Sequence, residues 1–140
     1  GQPLIELLND RSIADDVVQN HLRSAGRSIR MLHRQAIVHG DLSTNNIIIQ
    51  PSGEAVLIDF GLAKIEFETE LYGIDLHVLF EILGASHPHR NHAMDAVLEG
   101  YTQCEKELGP PASTPGGDPI PMDDVIERFD LIRTRVRYHG

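Results

Sequence analysis

Two aspartates that stand 18 residues apart, Asp41 and Asp59, flank a segment with the pattern of a short β-hairpin. The stretch after Asn46 is rich in isoleucine, residues 51–54 have the composition of a turn, and residues 55–58 are again apolar. A hairpin over this segment places Asn46 at its entrance and Asp59 at its exit. We therefore expect these two side chains to lie at one end of the same rigid element, close enough to share a metal ion.

The order and spacing of these polar residues predict phosphoryl transfer. They match the catalytic loop of protein kinases and its magnesium-binding Asp-Phe-Gly motif. We predict Asp41 as the catalytic carboxylate that orients the attacking hydroxyl and accepts its proton. We predict Asn46 and Asp59 as the ligands that hold Mg²⁺ against the phosphates of ATP. Each motif alone is weak evidence, because such strings also occur in ordinary turns, but the two together at this distance are specific.

The composition allows one modest core and excludes several classes of protein. The chain has 140 residues, of which 41% are hydrophobic and 24% charged, as in globular proteins generally. A formal net charge of −9 argues against a nucleic-acid binder that acts through its overall charge. No apolar run approaches the length of a membrane span. The single cysteine, Cys104, excludes an internal disulfide and is typical of a reducing compartment.

Apolar periodicity predicts a mainly helical fold with one short β-hairpin. A short helix is expected over residues 3–8, and Ser12 is expected to cap an amphipathic helix of about six turns that ends near Gln35. Further helices are predicted over residues 74–83, 91–107 and 122–137. Five of the eight prolines fall in residues 109–121, which predicts a flexible insertion rich in proline and glycine.

This set of elements is that of the C-terminal lobe of a protein kinase, extending over residues 1–140. Further motifs make the resemblance more specific. The loop around Asp41 reads His-Gly-Asp-Leu-Ser-Thr-Asn-Asn, and only 13 residues separate Asp-Phe-Gly from the next aspartate, Asp75. Asp75 opens the run Asp-Leu-His-Val-Leu-Phe-Glu, and residues 86–88 are Ser-His-Pro. In these features the chain resembles the small atypical kinase of the KEOPS complex, which is of the PRPK type and related to the RIO kinases.

The resemblance implies a serine/threonine kinase and ATPase that uses ATP and Mg²⁺. In that family, ATP hydrolysis supports the formation of threonylcarbamoyladenosine (t6A) on tRNA by a neighbouring subunit. The resemblance therefore implies assembly with other KEOPS subunits, especially the threonylcarbamoyltransferase subunit. It also implies a location in the cytoplasm and nucleus, with no membrane partner.

Roles for further residues are also expected, and those of Asp75 and the C-terminal arginines follow from the resemblance. His39 is expected to pack under the catalytic loop and orient it. Asp75 is expected to be the buried aspartate that accepts hydrogen bonds from the loop backbone, since an unpaired buried carboxylate is costly. The basic C-terminal helix and tail, residues 128–140, carry arginines that either contact tRNA phosphates or are ordinary cations at a helix end. These arginines are Arg133, Arg135 and Arg137.

The catalytic loop differs from that of ordinary kinases at two positions. Gly40 stands where an arginine usually pairs with a phosphorylated activation loop, and Ser43 stands where a lysine usually neutralises the transferred phosphate. The segment after Asp-Phe-Gly is also short. We therefore expect no activation by phosphorylation of that segment, and slow transfer to protein hydroxyls or to water.

The 140 residues contain no glycine-rich phosphate loop and no kinase-type lysine upstream of the catalytic loop. A complete kinase needs an N-terminal lobe to enclose ATP, so we expect a fragment, a truncated gene model or a lone C-terminal lobe, with little activity by itself. Two alternatives stay open: a noncatalytic module that docks partner subunits, and a small-molecule kinase of the aminoglycoside-phosphotransferase type. The histidines at positions 87, 89 and 92 are irregularly spaced, which favours surface residues over a metal site.

Overall fold

The computed structural model describes the backbone of residues 1–139 and the side chains of residues 1–135. In this part of the chain, five helices and five short strands form the fold, and the prediction of a mainly α fold with a short hairpin is confirmed. The strands are β1 (Gln2–Pro3), β2 (Ile37–Val38), β3 (Ile47–Ile49), β4 (Ala55–Leu57) and β5 (Lys64–Ile65). The helices are α1 (Leu4–Asn9), α2 (Asp15–His33), α3 (Thr69–Ser86), α4 (Ala93–Leu108) and α5 (Met122–His139). None of the described helices combines the length and apolar character that a membrane-crossing segment needs.

Two glycines allow α2 and α4 to pack with their backbones almost in contact. A Cβ atom on Gly26 would lie 1.8 Å from the carbonyl oxygen of Val97, and one on Gly100 would lie 1.9 Å from the carbonyl oxygen of Arg23. A side chain at either position would force the helices apart, because packed interiors leave no room for added atoms. The opposite side of α2 contacts β4, so this helix joins the helical layer to the hairpin.

Helix α3 contacts strand β2, which precedes the catalytic loop, and helix α5. At its contact with α5, a Cβ atom on Gly73 would lie 2.8 Å from Cδ1 of Ile132. The rings of Phe80 and Phe129 pack edge to face with centroids 5.7 Å apart. These contacts fix the position of α3 relative to α5 and to the strand that leads into the catalytic loop.

The predicted hairpin is present, and its register fixes the ends of the site. Strands β3 and β4 are antiparallel, with Ile47 opposite Leu57. One step further, the N–H of Ile58 donates to the carbonyl oxygen of Asn46 at 3.0 Å. This extra hydrogen bond brings Asn46 and the residue before Asp59 side by side at the open end of the hairpin.

A second strand pair joins the two segments that enter and leave the site. Strand β2 precedes the catalytic loop and pairs antiparallel with β5, which follows Asp-Phe-Gly, with Ile37 opposite Ile65 and Val38 opposite Lys64. Neither of these two strands was predicted from the sequence. Strands of two residues are too short to show an alternating pattern, so periodicity does not detect them.

Residues 109–121, predicted as a flexible insertion, contact the rest of the fold at several points. Pro119 is buried, and the buried Arg30 donates to the carbonyl oxygen of Ile120 at 3.2 Å. A turn over residues 114–117 packs against the ring of Phe67 in the segment after Asp-Phe-Gly. Composition gave no sign of this, because the contacts join the insertion to residues more than 40 positions away.

The predicted cap of the long helix is wrong. Ser12 lies before the helix, where its N–H and its Oγ donate to Asp10 Oδ1 at 3.0 and 2.6 Å. Helix α2 begins only at Asp15, and Ala14 at its N-cap position provides no side-chain hydrogen bond. An aspartate that bonds the backbone two residues later forms a local turn, which competes with helix formation.

Candidate active site

The entrance of the catalytic loop is anchored to helix α3 through one buried carboxylate. Asp75 Oδ2 accepts the backbone N–H of His39 at 2.9 Å, and its Oδ1 accepts the N–H of Gly40 at 3.0 Å. A third hydrogen bond joins Asp75 Oδ2 to His33 Nε2 at 2.8 Å. Burial acts to raise the pKa of Asp75, but the hydrogen bonds from His33 and the two N–H groups outweigh it and lower the pKa below its usual value. Asp75 is therefore a carboxylate that fixes the loop backbone.

A buried hydrogen-bond network, missed by the sequence analysis, continues from Asp75 to the far side of α2. His33 Nδ1 lies 2.7 Å from Tyr101 Oη, and Arg30 Nη1 donates to the same hydroxyl at 3.2 Å. A guanidinium only donates and a carboxylate only accepts, which fixes the direction of each hydrogen bond. Arg30 donates to the Tyr101 hydroxyl, this hydroxyl donates to His33 Nδ1, and His33 Nε2 donates to Asp75. Burial lowers the pKa of His33 and raises that of Tyr101, which keeps both neutral. Glu105 pairs with Arg30 at 3.0 Å and closes the network.

His39 links the catalytic loop to the Asp-Phe-Gly segment. Its side chain is fully buried, Nε2 lies 2.7 Å from the carbonyl oxygen of Ile58, and Nδ1 accepts the N–H of Asp41 at 3.1 Å. Its ring packs against Phe60 with centroids 5.0 Å apart. Both ring nitrogens are thus used for structure, which agrees with an orienting role and leaves no nitrogen for chemistry.

Asp41 and Asn46 face each other across the loop. Asn46 Nδ2 donates to the carbonyl oxygen of Asp41 at 2.9 Å and, more weakly, to its Oδ2 at 3.3 Å. Asn46 is buried, whereas Asp41 is exposed. This hydrogen bond turns the amide nitrogen toward Asp41, so the amide oxygen points away from it.

Two side chains at the open end of the hairpin carry oxygen donors of a type that can hold a divalent metal ion. Among the hydrogen bonds of the described residues, none involves Oδ1 of Asn46 or the carboxylate of Asp59. Both are hard oxygen donors of the kind that Mg²⁺ prefers. The backbone of Asp59 also has a φ of 60°, in the left-handed region that residues other than glycine rarely adopt. Such strain persists where the surrounding structure holds a side chain in a required direction.

Gly40 is explained by the backbone. Its φ is 86°, and a Cβ atom at this position would lie 2.7 Å from the carbonyl oxygen of Leu62. The arginine that ordinary kinases carry at this position therefore has neither the backbone conformation nor the space it needs. The loop passes directly over the segment that follows Asp-Phe-Gly.

The prediction of surface histidines is wrong for His87. This side chain is buried between the catalytic loop and α1, with Nε2 3.0 Å from Thr44 Oγ1 and Nδ1 3.1 Å from Asn9 Oδ1. His89 is half-buried against α1, and His92 is exposed. No cluster of three metal-ligating side chains of the His, Cys, Asp or Glu type occurs among the described residues.

The C-terminal arginines lie on α5, and the side chains of Arg133 and Arg135 contact residues of α3. Arg133 pairs with Asp130 at 2.9 Å and lies over the ring of Phe129, 5.4 Å from its centroid. Arg135 pairs with Glu70 at 2.8 Å and is largely exposed. The side chain of Arg137 lies outside the described residues. Contact with tRNA through these residues stays a prediction.

Comparison with known proteins agrees with this geometry. The sequence model of the protein kinase domain matches residues 1–74, which include the catalytic loop and Asp-Phe-Gly. The chain belongs to the protein kinase family. Members of this family use ATP with a divalent metal ion.

Individual relatives narrow the resemblance to the KEOPS type, as the motifs predicted. The chain is 46% identical over 81 residues to a probable bifunctional tRNA threonylcarbamoyladenosine biosynthesis protein of Methanoculleus marisnigri. This match covers 58% of this chain and 15% of that protein. It is 33% identical over 135 residues to a probable serine/threonine-protein kinase BUD32 homolog of Archaeoglobus fulgidus, covering 96% of this chain and 61% of that protein. It is 35% identical over 106 residues to the EKC/KEOPS complex subunit bud32 of Aspergillus clavatus, covering 64% of this chain and 38% of that protein. The chain thus spans less than two thirds of each of these relatives.

Proposed function

We propose that this chain carries the catalytic loop and metal ligands of a magnesium-dependent serine/threonine kinase and ATPase. The observation that carries the proposal is the arrangement at the open end of the hairpin. There, Asn46 Oδ1 and the Asp59 carboxylate have no hydrogen-bond partner among the described residues, and Asp41, which the Asn46 side chain contacts, is exposed. Oxygen donors left without partners in this way suit a metal ion and the phosphates it accompanies.

Each residue has one role in the proposal. The carboxylate of Asp41 orients the acceptor hydroxyl or water and takes its proton. Oδ1 of Asn46 and the carboxylate of Asp59 hold Mg²⁺, which, when bound, neutralises the charge on the ATP phosphates. Asp75 and His39 hold the loop backbone, so that Asp41 needs little reorganisation when substrate binds.

The segment after Asp-Phe-Gly supports activity without regulatory phosphorylation. It is paired to the start of the catalytic loop through β5, and the hydroxyl of Tyr72 donates to the carbonyl oxygen of Glu66 at 2.7 Å. The segment is therefore ordered by its own contacts. An ordinary kinase uses a phosphate and an arginine for the same purpose, and here the position of that arginine is Gly40.

The names of the relatives support a role in t6A modification of tRNA within a KEOPS-type complex. One is named for threonylcarbamoyladenosine biosynthesis and another as a subunit of the EKC/KEOPS complex. We infer that this protein uses ATP to support the threonylcarbamoyltransferase subunit of such a complex in the cytoplasm and nucleus. Contact with tRNA through Arg133, Arg135 and Arg137 belongs to the same proposal.

The test is magnesium-dependent ATP turnover by the full-length protein, with any residues that its gene places before position 1. Asp59→Ala should abolish turnover, since it removes a metal ligand. Asp41→Asn should lower kcat at least 100-fold but leave ATP affinity within about threefold, as removal of a general base does. The matched control, Glu68→Gln, changes an exposed acid and should have no effect. A wild-type protein that binds its partner subunits but shows no turnover would favour the noncatalytic module instead.

A further inference from the structure

The second half of the catalytic loop is attached to the fold at a separate point from the first. Thr44 lies three residues after Asp41 and two before Asn46, and it is buried. Its carbonyl oxygen accepts the N–H of Ile5 from helix α1 at 3.0 Å. Its hydroxyl lies 3.0 Å from Nε2 of His87. Neither side chain takes part in the chemistry of the proposed function.

The hydrogen bonds of His87 determine which atom donates the proton. Nδ1 lies 3.1 Å from the side-chain oxygen of Asn9, which can only accept, so Nδ1 carries the proton. Nε2 is then the acceptor of the Thr44 hydroxyl. Burial, together with the nearby His89 and Arg90, lowers the pKa of His87 and keeps the ring neutral near pH 7.

One attachment point of the loop lies within helix α3, and the other lies just after its C-terminal end. Asp75, in the first half of the helix, accepts hydrogen bonds from the N–H groups of residues 39 and 40, and His87 directly follows the last helical residue, Ser86. Twelve residues of helix span about 18 Å, whereas the loop segment from Gly40 to Thr44 reaches at most about 14 Å when extended. The loop is therefore attached at both of its ends, to two points that are separated along the direction of the helix.

The attachment at Thr44 bears directly on Asp41 and Asn46. The N–H of Asn46 donates to the carbonyl oxygen of Ser43 at 3.0 Å, and its side chain donates to the backbone of Asp41 at 2.9 Å. These bonds lie within the loop and cannot fix it to the rest of the fold. We propose that His87, through the hydroxyl of Thr44, is a positioning residue that sets Asp41 relative to Asn46 for phosphoryl transfer. This role rests on the function proposed above.

Two matched substitutions separate positioning from simple packing. In His87→Asn, the side-chain nitrogen takes the place of Nδ1 and keeps the contact with Asn9, while the contact with Thr44 is lost. In His87→Gln, the side-chain oxygen takes the place of Nε2 and keeps the acceptor for Thr44. Thr44→Val removes the hydroxyl at constant shape, and Thr44→Ser retains it. His92→Asn is the control, because that histidine is exposed.

The experiment measures ATP turnover and amide hydrogen exchange of the full-length protein and these variants. We expect Thr44→Val and His87→Asn each to lower kcat about tenfold, with KM for ATP within twofold of wild type. The double variant should be no worse than either single one, since both break the same hydrogen bond. Thr44→Ser and His87→Gln should recover most of the loss. Amides of residues 41–46 should exchange faster in the two impaired variants and not in the control.

The outcomes distinguish this proposal from the proposed function. If the wild type turns over ATP and Thr44→Val keeps kcat within twofold, the positioning role of His87 is overturned. Losses that multiply in the double variant, or unchanged exchange over residues 41–46, would overturn it as well. A wild type without turnover would overturn the proposed function, and the positioning role of His87 with it. If His87→Asn does not fold, Thr44→Val decides the question.

Discussion

Replacing Asp75 by asparagine should destabilise the protein strongly, because the three hydrogen bonds at this carboxylate all need an acceptor. Oδ2 accepts from His33 and from the N–H of His39, and Oδ1 accepts from the N–H of Gly40. In Asp75→Asn, one oxygen becomes an NH₂ group. In either amide orientation, that group faces another donor, so at least one N–H loses its hydrogen-bond acceptor.

The size of the effect follows from these contacts. A hydrogen bond to a charged group contributes about 1.5–3 kcal/mol, and a buried donor without a partner costs about 1–3 kcal/mol. We expect Asp75→Asn to lower the free energy of unfolding by about 3 kcal/mol, with a fall in Tm of about 10 °C. The measurement is urea unfolding at pH 7, with Asp124→Asn as a control. Asp124 is exposed in the first turn of α5 and should change stability by less than about 0.5 kcal/mol.

The pH dependence sharpens this test. Since the pKa of Asp75 is lowered in the folded protein, its stabilisation is fully present above the ordinary carboxyl pKa of about 3.9 and is lost as the pH falls below it. The stability difference between wild type and Asp75→Asn should therefore be constant from about pH 7 to 5 and shrink below about pH 4. A difference below 1 kcal/mol at pH 7, or one that grows in acid, would refute the role of Asp75 as a charged anchor.

Three further predictions concern the loop, the insertion and the C-terminus. Gly40→Ala should lower ATP turnover at least tenfold, because a Cβ atom at this positive φ would collide with the carbonyl oxygen of Leu62. The Tm of the variant is measured as a control for folding, and normal turnover would contradict the close approach of the loop. Deleting residues 113–118 should cost about 1–2 kcal/mol by uncovering an aromatic ring, measured by urea unfolding; no loss would mean that the turn does not pack there. Neutralising the three arginines should flatten the salt dependence of tRNA affinity of the assembled complex by about 0.9 per lost phosphate contact, and an unchanged slope would leave them as helix-end charges. These arginines are Arg133, Arg135 and Arg137.

The sequence predicted the elements whose signals are local. The hairpin between Asn46 and Asp59 has isoleucine-rich halves and a clear turn, and its polar ends carry the spacing of a known motif. Long helices such as α2 and α4 show apolar residues at steps of three and four. For these parts, local pattern and tertiary packing favour the same structure.

What the sequence did not predict depends on contacts between distant residues. Ser12 has the residue type of a helix cap, but its hydroxyl donates to Asp10 instead of capping the helix. Arg30 and His33 fall one and four residues after Ile29, on the buried side of α2, and this placement of polar residues was the available signal for the network with Tyr101. Such a polar residue on an apolar stripe indicates a buried partner but not its identity.

The most direct test of the central claim is to locate the metal ion. The full-length protein, titrated with Mn²⁺ in the presence of a non-hydrolysable ATP analogue, should show paramagnetic broadening of NMR signals that is strongest at Asn46 and Asp59, with Asp41 close behind. The broadening should need the nucleotide and should disappear in Asp59→Ala. Broadening centred elsewhere, such as at His89 or His92, or broadening that persists in Asp59→Ala, would contradict the assignment of these residues as metal ligands.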